Sequence, residues 1–260
     1  MRESRGFFNI DGINLEFELL TPFADSDTTL VFLHEGLGCL AMWRDFPRRV
    51  AAASGCRALI YSRAGYGGSA PCPLPRPLNF MHEEGLTVLP QILDAAGIPR
   101  AILVGHSDGA SIALINAGGA AEPRLAGLIL MAPHVFIEEL TIRSIRAAAS
   151  AYQATDLRAR LARYHGDRVD STFHGWTDAW LDDGFKTWNL EAFLPAITVP
   201  VLLIQGEDDN YGTIRQLDRI QVQLPHAADQ LLLPGCGHAP FRERPEETLQ
   251  AMVGFLAKLR

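Results

Sequence analysis

The stretch ILVGHSDGASIAL, residues 102 to 114, constrains the fold of this chain more than any other. Its first three residues form an apolar run typical of a strand buried on both faces, and the small apolar residues at its end predict a helix packed against the sheet. Between them lies Gly105-x-Ser107-x-Gly109. Glycines at a strand-to-helix turn remove side chains where the two elements crowd each other, so Ser107 can project above the sheet edge as a nucleophile.

The rest of the chain alternates between strand-like and helix-like runs, which predicts a mostly parallel sheet covered by helices. A hairpin is expected around Asp11-Gly12, with strands at 6–10 and 13–20. Further strands are predicted at 29–33, 58–61, 102–104, 125–131, 201–204 and 230–233. Helices are predicted at 40–53, 80–96, 214–222 and 246–259, in addition to the one that follows Gly109.

This alternation fails between about residues 133 and 196, where helix-like and aromatic-rich segments replace the strand pattern. The segment 134–196 is therefore expected to form a helical cap inserted into a core made of residues 1–133 and 197–260. A cap above the carboxyl ends of parallel strands lies where open α/β sheets bind their ligands.

The composition of the chain excludes several classes of function. The chain has 260 residues, of which 48% are hydrophobic, enough for one large α/β domain with an insertion. Thirty acidic and 23 basic residues give a net charge of -7 without a Lys/Arg run, which argues against a nucleic-acid or membrane partner. Without an apolar run of signal-peptide or membrane-spanning length, we expect a cytoplasmic protein. The four cysteines lack C-x-x-C spacing, which favours free thiols over disulfides or zinc ligands.

A catalytic serine needs a base and a carboxylate, and both follow later strands. The segment LIQGEDDNYG places Asp208 and Asp209 just beyond a buried strand, and LLLPGCGHAP places His238 in a glycine-rich loop after the next strand. The carboxyl ends of parallel strands lie at one edge of the sheet. Ser107, His238 and one of the two aspartates can therefore converge.

Together with LVFLHEGLG, YSRAGYGGS and GHAPFRERP, these motifs resemble the α/β-hydrolase fold superfamily over essentially the whole chain. The resemblance implies a mostly parallel eight-stranded sheet flanked by helices. It also implies that Ser107 is the nucleophile, His238 the general base and then acid, and Asp209 the carboxylate that orients His238. Asp209 is favoured because it is the fourth residue counted from the loop glycine Gly206, while Asp208 is expected to cap the loop.

The resemblance further implies an oxyanion hole built from backbone N–H groups. One donor is that of Asp108, and the second is that of Gly36, with Leu37 as the alternative. Each donor stabilises the transition state by about 2.7 to 4 kcal/mol when its geometry is correct. His34 and His106 occupy positions that commonly hold histidine in this superfamily, and we assign both a structural role.

Glu35 departs from the superfamily pattern, in which glycine commonly follows His34. An ionised carboxylate about 5 Å from a developing oxyanion, at an effective dielectric of 20, costs about 3 kcal/mol. Glu35 must therefore point away, pair with a cation such as Arg44 or Arg63, stay protonated, or bind a polar part of the substrate. A loop-bracing ion pair is the simplest interpretation.

Residues of the expected cap are candidates for shaping the substrate site. Its aromatic cluster either walls an apolar pocket or attaches the cap to the core, and comprises Phe173, His174, Trp176, Trp180 and Trp188. His134 follows a strand end and either binds a substrate oxygen or packs in its loop. The substrate-binding candidates are thus Glu35, Leu37, His134, Trp176 and Trp180.

These observations predict a cofactor-independent serine hydrolase, with no metal site, that cleaves a small ester, thioester, lactone or amide-like carbonyl substrate through an acyl-enzyme on Ser107. A carbon-carbon bond hydrolase of the diketone ring-fission type could use the same triad. A non-catalytic ligand-binding member of the superfamily is the alternative from a different class. The expected partner is a small-molecule substrate, and a homodimer stays open.

Overall fold

The chain begins with a hairpin of two nine-residue strands, β1 (Arg2–Ile10) and β2 (Ile13–Thr21), in a computed structural model that describes residues 1–22 and 26–259. Asp11 and Gly12 turn the hairpin with φ values of 50° and 84°. Two consecutive positive φ values suit the right-handed twist of the flanking strands. The predicted hairpin is confirmed, and its first strand begins earlier than the pattern indicated.

Six further strands run parallel to one another: β3 (Thr28–Leu33), β4 (Arg57–Tyr61), β5 (Arg100–His106), β6 (Leu125–Met131), β7 (Val201–Gly206) and β8 (Asp229–Leu233). The eight strands form one sheet in the order β1-β2-β4-β3-β5-β6-β7-β8. Among the described strands, antiparallel pairing is confined to β1 with β2 and β2 with β4. The mostly parallel eight-stranded sheet is therefore confirmed.

Helices cover both faces of the sheet because strand residues alternate between two apolar layers. The helices are α1 (Phe46–Ser54), α2 (Phe80–Glu83), α3 (Leu89–Ala95), α4 (Asp108–Gly119), α5 (Glu139–Ala154), α6 (Leu157–His165), α7 (Val169–Leu181), α8 (Arg215–Gln223), α9 (Pro240–Glu243) and α10 (Pro245–Lys258). Val104 of β5 packs in the layer that contains Val50 of α1 and Met252 of α10. Leu103 packs in the opposite layer with residues of α3, α4 and α8. No helix in the described part of the chain is both long and apolar enough to cross a membrane.

Two predicted helices have a different form in the structure. The single helix predicted at 40–53 is wrong, because a 3-10 turn at Leu40–Trp43 ends at Arg44, whose φ of 55° interrupts the helical path before α1. The helix predicted at 80–96 contains a π-helical turn at Glu84–Val88 between α2 and α3. There Gly85 lies close to α4, since an added Cβ would be 2.9 Å from the Ile115 side chain. Single π turns of this kind are frequent at functional sites.

The segment 134–196 runs between β6 and β7 and contains α5, α6 and α7. Hydrogen bonds attach it to loops that follow core strands. His165 Nε2 lies 3.0 Å from the carbonyl oxygen of Leu37 after β3, and the Thr172 hydroxyl donates to that of Gly65 after β4 at 2.6 Å. The Thr141 hydroxyl donates to the carbonyl of Tyr211 after β7. These helices therefore lie against the carboxyl edge of the sheet.

The four cysteines are free, as the sequence predicts. Burial raises the pKa of Cys39 to about 12 and that of Cys236 to about 11. Both side chains therefore stay protonated thiols near neutral pH, and neither is an activated nucleophile.

Candidate active site

Ser107 lies on the sharp turn between β5 and α4, with a φ of 53° and a ψ of -119°. A non-glycine residue rarely adopts this conformation, which the surrounding structure must hold. Close packing requires the flanking glycines: an added Cβ at Gly109 would lie 1.9 Å from the carbonyl oxygen of Leu33, and one at Gly105 would lie 2.5 Å from the backbone of Ala110. The strand and helix thus meet too closely for side chains on either side of Ser107.

Asp209 and His238 form a buried hydrogen-bonded pair beside this turn. Nδ1 of His238 lies 2.9 Å from both carboxylate oxygens of Asp209. The backbone N–H of Tyr211 donates to Oδ1 at 2.8 Å, and the side-chain amide of Gln205 donates to Oδ2 at 2.8 Å. The carboxylate is thus fixed by several donors and holds the imidazole in the tautomer that carries its proton on Nδ1.

Burial alone would raise the pKa of Asp209, but the charge and hydrogen bond of His238 and the backbone N–H of Tyr211 together lower it. Asp209 is therefore ionised at neutral pH. The neighbouring Asp208 is exposed, and its backbone N–H donates to the carbonyl of Cys236. Of the two aspartates that the sequence offered, the structure brings Asp209 to His238.

Ser107 directly follows His106, which contacts His238, but no hydrogen bond joins Ser107 itself to His238. The Ser107 hydroxyl makes no hydrogen bond to any described residue, and its side chain is buried apart from a small exposed part, with the whole residue 7% exposed. His106, the residue before Ser107, lies with Nε2 2.7 Å from the backbone carbonyl oxygen of His238, and the two ring centroids are 5.1 Å apart. Serine–histidine contacts of this type often tighten only when substrate binds.

The two backbone amides proposed for an oxyanion hole are available. Within residues 1–22 and 26–259, neither the N–H of Gly36 nor that of Asp108 donates a hydrogen bond. Gly36 lies directly under Trp176 of α7, since an added Cβ would be 2.2 Å from the indole nitrogen. Leu37, the alternative donor, packs its partly buried side chain against the core.

Glu35 pairs with His106 rather than with the guanidinium of Arg44 or Arg63, which corrects the partner suggested by the sequence. Its Oε2 lies 3.4 Å from Nδ1 of His106, and its side chain is 17% exposed. Arg63 instead donates to the backbone carbonyls of His34 and Glu35. The Arg63 side chain thus stabilises the loop by binding the loop's backbone carbonyl groups.

The pKa values of the Glu35–His106 pair favour its charged form. Burial alone would raise the pKa of Glu35, but the hydrogen bond and charge of His106, with a contribution from His34, lower it to about 2. Burial alone would lower the pKa of His106, but Glu35 and the carbonyl of His238 raise it above its usual value. An imidazolium at His106 balances the carboxylate, which limits the repulsion that Glu35 exerts on an oxyanion.

Among the residues of the segment 134–196, His134 lies next to His238, and Trp180 lies next to His134. The His134 ring centroid is 5.8 Å from that of His238 and 5.6 Å from that of Trp180. Burial and the charge of His238 lower the pKa of His134 to about 3, so it is neutral at physiological pH. His174 does not wall this region: its side chain is 47% exposed and faces Asp178 on the outer side of α7.

Sequence reasoning did not assign a role to Tyr211 or to the bridge made by His106. The Tyr211 ring packs against that of the catalytic candidate His238 at a tilt of 40°, with ring centroids 4.7 Å apart, and the Tyr211 backbone N–H donates to the carboxylate of Asp209. For Tyr211, the available sequence signal was its position two residues after Asp209. The second joins residues far apart in the chain, and no local pattern indicates it.

Comparisons with known proteins agree with this architecture. Residues 30–251 match the model of the alpha/beta hydrolase family. The chain is 28% identical over 253 residues to RutD of Pseudomonas savastanoi, named as a carbamate hydrolase, with 89% of this chain and 95% of that protein covered. It is 42% identical over 74 residues to the pimeloyl-[acyl-carrier protein] methyl ester esterase of Nitrosomonas europaea, covering 27% of this chain and 29% of that protein.

The fold is also found in the enol-lactonase of Burkholderia xenovorans, with a TM-score of 0.75 at 21% identity over 97% of this chain and 100% of that chain. The sheet order and the family match together define the class: this is an α/β hydrolase. The chain belongs to the alpha/beta hydrolase family, and it is an esterase-like hydrolase.

Proposed function

We propose that the protein is a cofactor-independent serine hydrolase that cleaves a small ester or amide-like carbonyl compound through an acyl-enzyme on Ser107. The observation that carries this proposal is the 2.9 Å contact between Nδ1 of His238 and the buried carboxylate of Asp209, beside a serine held at positive φ. A hydroxyl, an imidazole and a carboxylate supply the nucleophile, the base and its orienting group.

The reaction begins when Nε2 of His238 takes the proton of Ser107 as its Oγ attacks the carbonyl carbon. The tetrahedral oxyanion then accepts hydrogen bonds from the backbone N–H groups of Asp108 and Gly36. His238 gives the proton to the leaving oxygen or nitrogen, and the acyl group remains on Ser107. Water, deprotonated by His238, then attacks the acyl carbon, and the bond from that carbon to Oγ of Ser107 breaks as His238 returns the proton to Oγ and the acid is released. Asp209 stabilises the imidazolium in each step.

The segment 134–196 acts in this proposal as a cap over a core of residues 1–133 and 197–260. Its attachment to Leu37 and Gly65 and the position of Trp176 over Gly36 support this division. We assign substrate contacts to His134, which lies beside His238, to Trp176, which lies over Gly36, and to Trp180, which lies beside His134. Glu35, neutralised by His106, braces the oxyanion loop from behind.

The names of two relatives indicate the substrate class. The two relatives are named after carbamates and methyl esters, and in both of these groups the carbonyl carbon carries an oxygen or nitrogen. We therefore place this protein among hydrolases of small esters, carbamates and related compounds, in preference to carbon-carbon bond hydrolases.

The test is steady-state hydrolysis of short-chain 4-nitrophenyl esters and ethyl carbamates by the wild type, Ser107→Ala and the control Ser150→Ala, which changes an exposed serine of α5. We expect Ser107→Ala to lose at least about a thousandfold in kcat, because a serine triad acts as a unit. Equal turnover by Ser107→Ala and wild type would contradict the proposal. Turnover of vinylogous diketones in place of esters and carbamates would favour the carbon-carbon bond alternative.

A further inference from the structure

His165 is the last residue of α6 and joins the segment 134–196 to two loops that follow core strands. The backbone N–H of Gly67 donates to its Nδ1 at 3.1 Å, and its Nε2 lies 3.0 Å from the carbonyl oxygen of Leu37. Because Nδ1 accepts, the proton of the neutral imidazole lies on Nε2 and is donated to Leu37. Burial lowers the pKa of His165, which favours this neutral form near neutral pH.

Leu37 lies in the turn that carries a candidate oxyanion donor, the N–H of Gly36. The N–H of Gly38 donates to the carbonyl oxygen of Glu35 at 3.1 Å. Residues 35–38 therefore form a β-turn with Gly36 and Leu37 at its centre. The peptide groups of this turn are trans and planar, so the carbonyl and the N–H of each group point in opposite directions. A donor that fixes the oxygen of such a group also fixes its N–H.

Hydrogen bonds connect His165 to the Gly36 N–H through two of these peptide groups. His165 donates to the carbonyl of the Leu37–Gly38 group. The N–H of that group donates to the carbonyl of the Glu35–Gly36 group. The N–H of this second group is that of Gly36, which has no acceptor in the described part of the chain. Consecutive hydrogen bonds polarise one another by about 10 to 30% per bond, so the series orients the Gly36 N–H and strengthens it as a donor.

Side chains of core strands and loops fix the second peptide group as well. Nδ1 of His34 lies 2.7 Å from the carbonyl oxygen of Glu35, and a terminal nitrogen of Arg63 donates to that oxygen at 3.0 Å. The backbone N–H of Arg63 donates to Nε2 of His34, so the ring proton of His34 lies on Nδ1 and is donated to Glu35. His165 adds to these contacts the one that comes from the segment 134–196.

We propose that His165 is a positioning residue for the reaction: through the two peptide groups it orients and polarises the Gly36 N–H toward the oxyanion. The segment 134–196 then contributes to the chemical step in addition to covering the substrate. This inference rests on the proposed function, because it takes the Gly36 N–H as an oxyanion donor. The oxyanion forms only in the transition state, so loss of the His165 donor should lower kcat and leave KM nearly unchanged.

The two ring nitrogens of His165 can be removed separately. Glutamine places an amide nitrogen near Nε2 and keeps the donor to Leu37, whereas asparagine places an amide oxygen near Nδ1 and keeps only the acceptor for Gly67. Removing a whole oxyanion donor costs about a hundredfold or more in kcat, so we expect His165→Asn to lose about tenfold and His165→Gln less than about threefold. If His165→Asn does not fold, His165→Met, which has the length of glutamine without its donor, should show the same loss.

Inhibition by a ketone pair separates transition-state from ground-state effects. When Ser107 adds to the carbonyl carbon of an aryl trifluoromethyl ketone, its proton passes to His238 and an oxyanion remains, as in the transition state. The inhibition constant of this ketone should rise about tenfold in His165→Asn, in step with the loss in kcat. The corresponding methyl ketone stays uncharged, and its inhibition constant should change less than about twofold.

Thr172→Val is the matched control, because the Thr172 hydroxyl attaches the same segment to the carbonyl of Gly65 without reaching the turn. It should keep kcat within about threefold of the wild type. Equal kcat values in His165→Asn and His165→Gln, or a loss in Thr172→Val as large as that in His165→Asn, would overturn the positioning role. Either result in a wild type that hydrolyses esters contradicts this inference alone. A folded wild type that neither hydrolyses esters nor binds the trifluoromethyl ketone contradicts the proposed function.

Discussion

Nε2 of His106 lies 2.7 Å from the backbone carbonyl oxygen of His238 and donates a hydrogen bond to it. The other ring nitrogen faces the carboxylate of Glu35 at 3.4 Å, and Trp43 and Phe241 pack edge-on against the ring. A single imidazole thus joins the loop that follows β3 to the loop that carries His238. Only the doubly protonated imidazole of His106 can donate a hydrogen bond from each of its two ring nitrogens.

This bridge predicts a loss of stability at alkaline pH. Because the pKa of His106 is raised in the folded protein, its stabilising contribution is complete below the unfolded-state pKa and disappears as pH rises through the folded-state pKa. Urea denaturation between pH 6 and pH 10 should show this decrease in the free energy of unfolding for the wild type. Glu35→Gln should be less stable at pH 6 by about 1 to 3 kcal/mol and should lack that part of the pH dependence.

The contribution of other titrating groups cancels when the two proteins are compared at each pH. Identical pH dependence in the wild type and Glu35→Gln would show that the pair is not charged in the folded state. His106→Gln should lose the same pH-dependent increment, since it removes the other partner.

The two adjacent aspartates should differ strongly in activity. Asp209→Asn replaces the carboxylate that accepts from Nδ1 of His238 by an amide that favours the wrong tautomer, while Asp208→Asn changes an exposed side chain. We expect the loss in kcat/KM from Asp209→Asn to exceed that from Asp208→Asn at least about tenfold. Steady-state kinetics on one ester measures both, and similar losses would contradict the assignment of Asp209.

The turn at Ser107 should tolerate no side chain at Gly109. An added methyl group would lie 1.9 Å from the carbonyl oxygen of Leu33, so Gly109→Ala must displace backbone. We expect a loss of about 1 to 3 kcal/mol in the free energy of unfolding, typical of overpacking. Gly254→Ala in α10 is the matched control, because nothing lies within 4 Å of its added Cβ. It should gain about 0.5 to 1 kcal/mol, and equal effects at the two glycines would contradict the close packing.

The predictions that hold depend on short-range patterns. The β-hairpin follows from Asp11-Gly12, and the central strands follow from apolar runs such as the one before Ser107. Hydrophobic periodicity and the residue types that favour turns are local properties, so they can be recognised in a single sequence. The same is true of the glycines around Ser107, whose spacing reports how closely β5 and α4 approach.

The predictions that fail depend on contacts between distant residues. The break at Arg44 has a positive φ that no residue type there announces, and the π turn at Glu84–Val88 accompanies the close approach of Gly85 to α4. The partner of Glu35 is 71 residues away, and nearer cations such as Arg44 and Arg63 were the better candidates on sequence grounds. The three-dimensional arrangement decides each of these features.

The central claim is that Ser107 is a nucleophile activated by His238, and trapping the covalent adduct tests it most directly. Intact-protein mass spectrometry with peptide mapping should follow labelling by a fluorophosphonate in the wild type and His238→Ala. We expect a single adduct on Ser107 in the wild type and labelling at least about a hundredfold slower in His238→Ala. An unlabelled Ser107 in folded wild-type protein, or equal labelling rates in the two proteins, would contradict it.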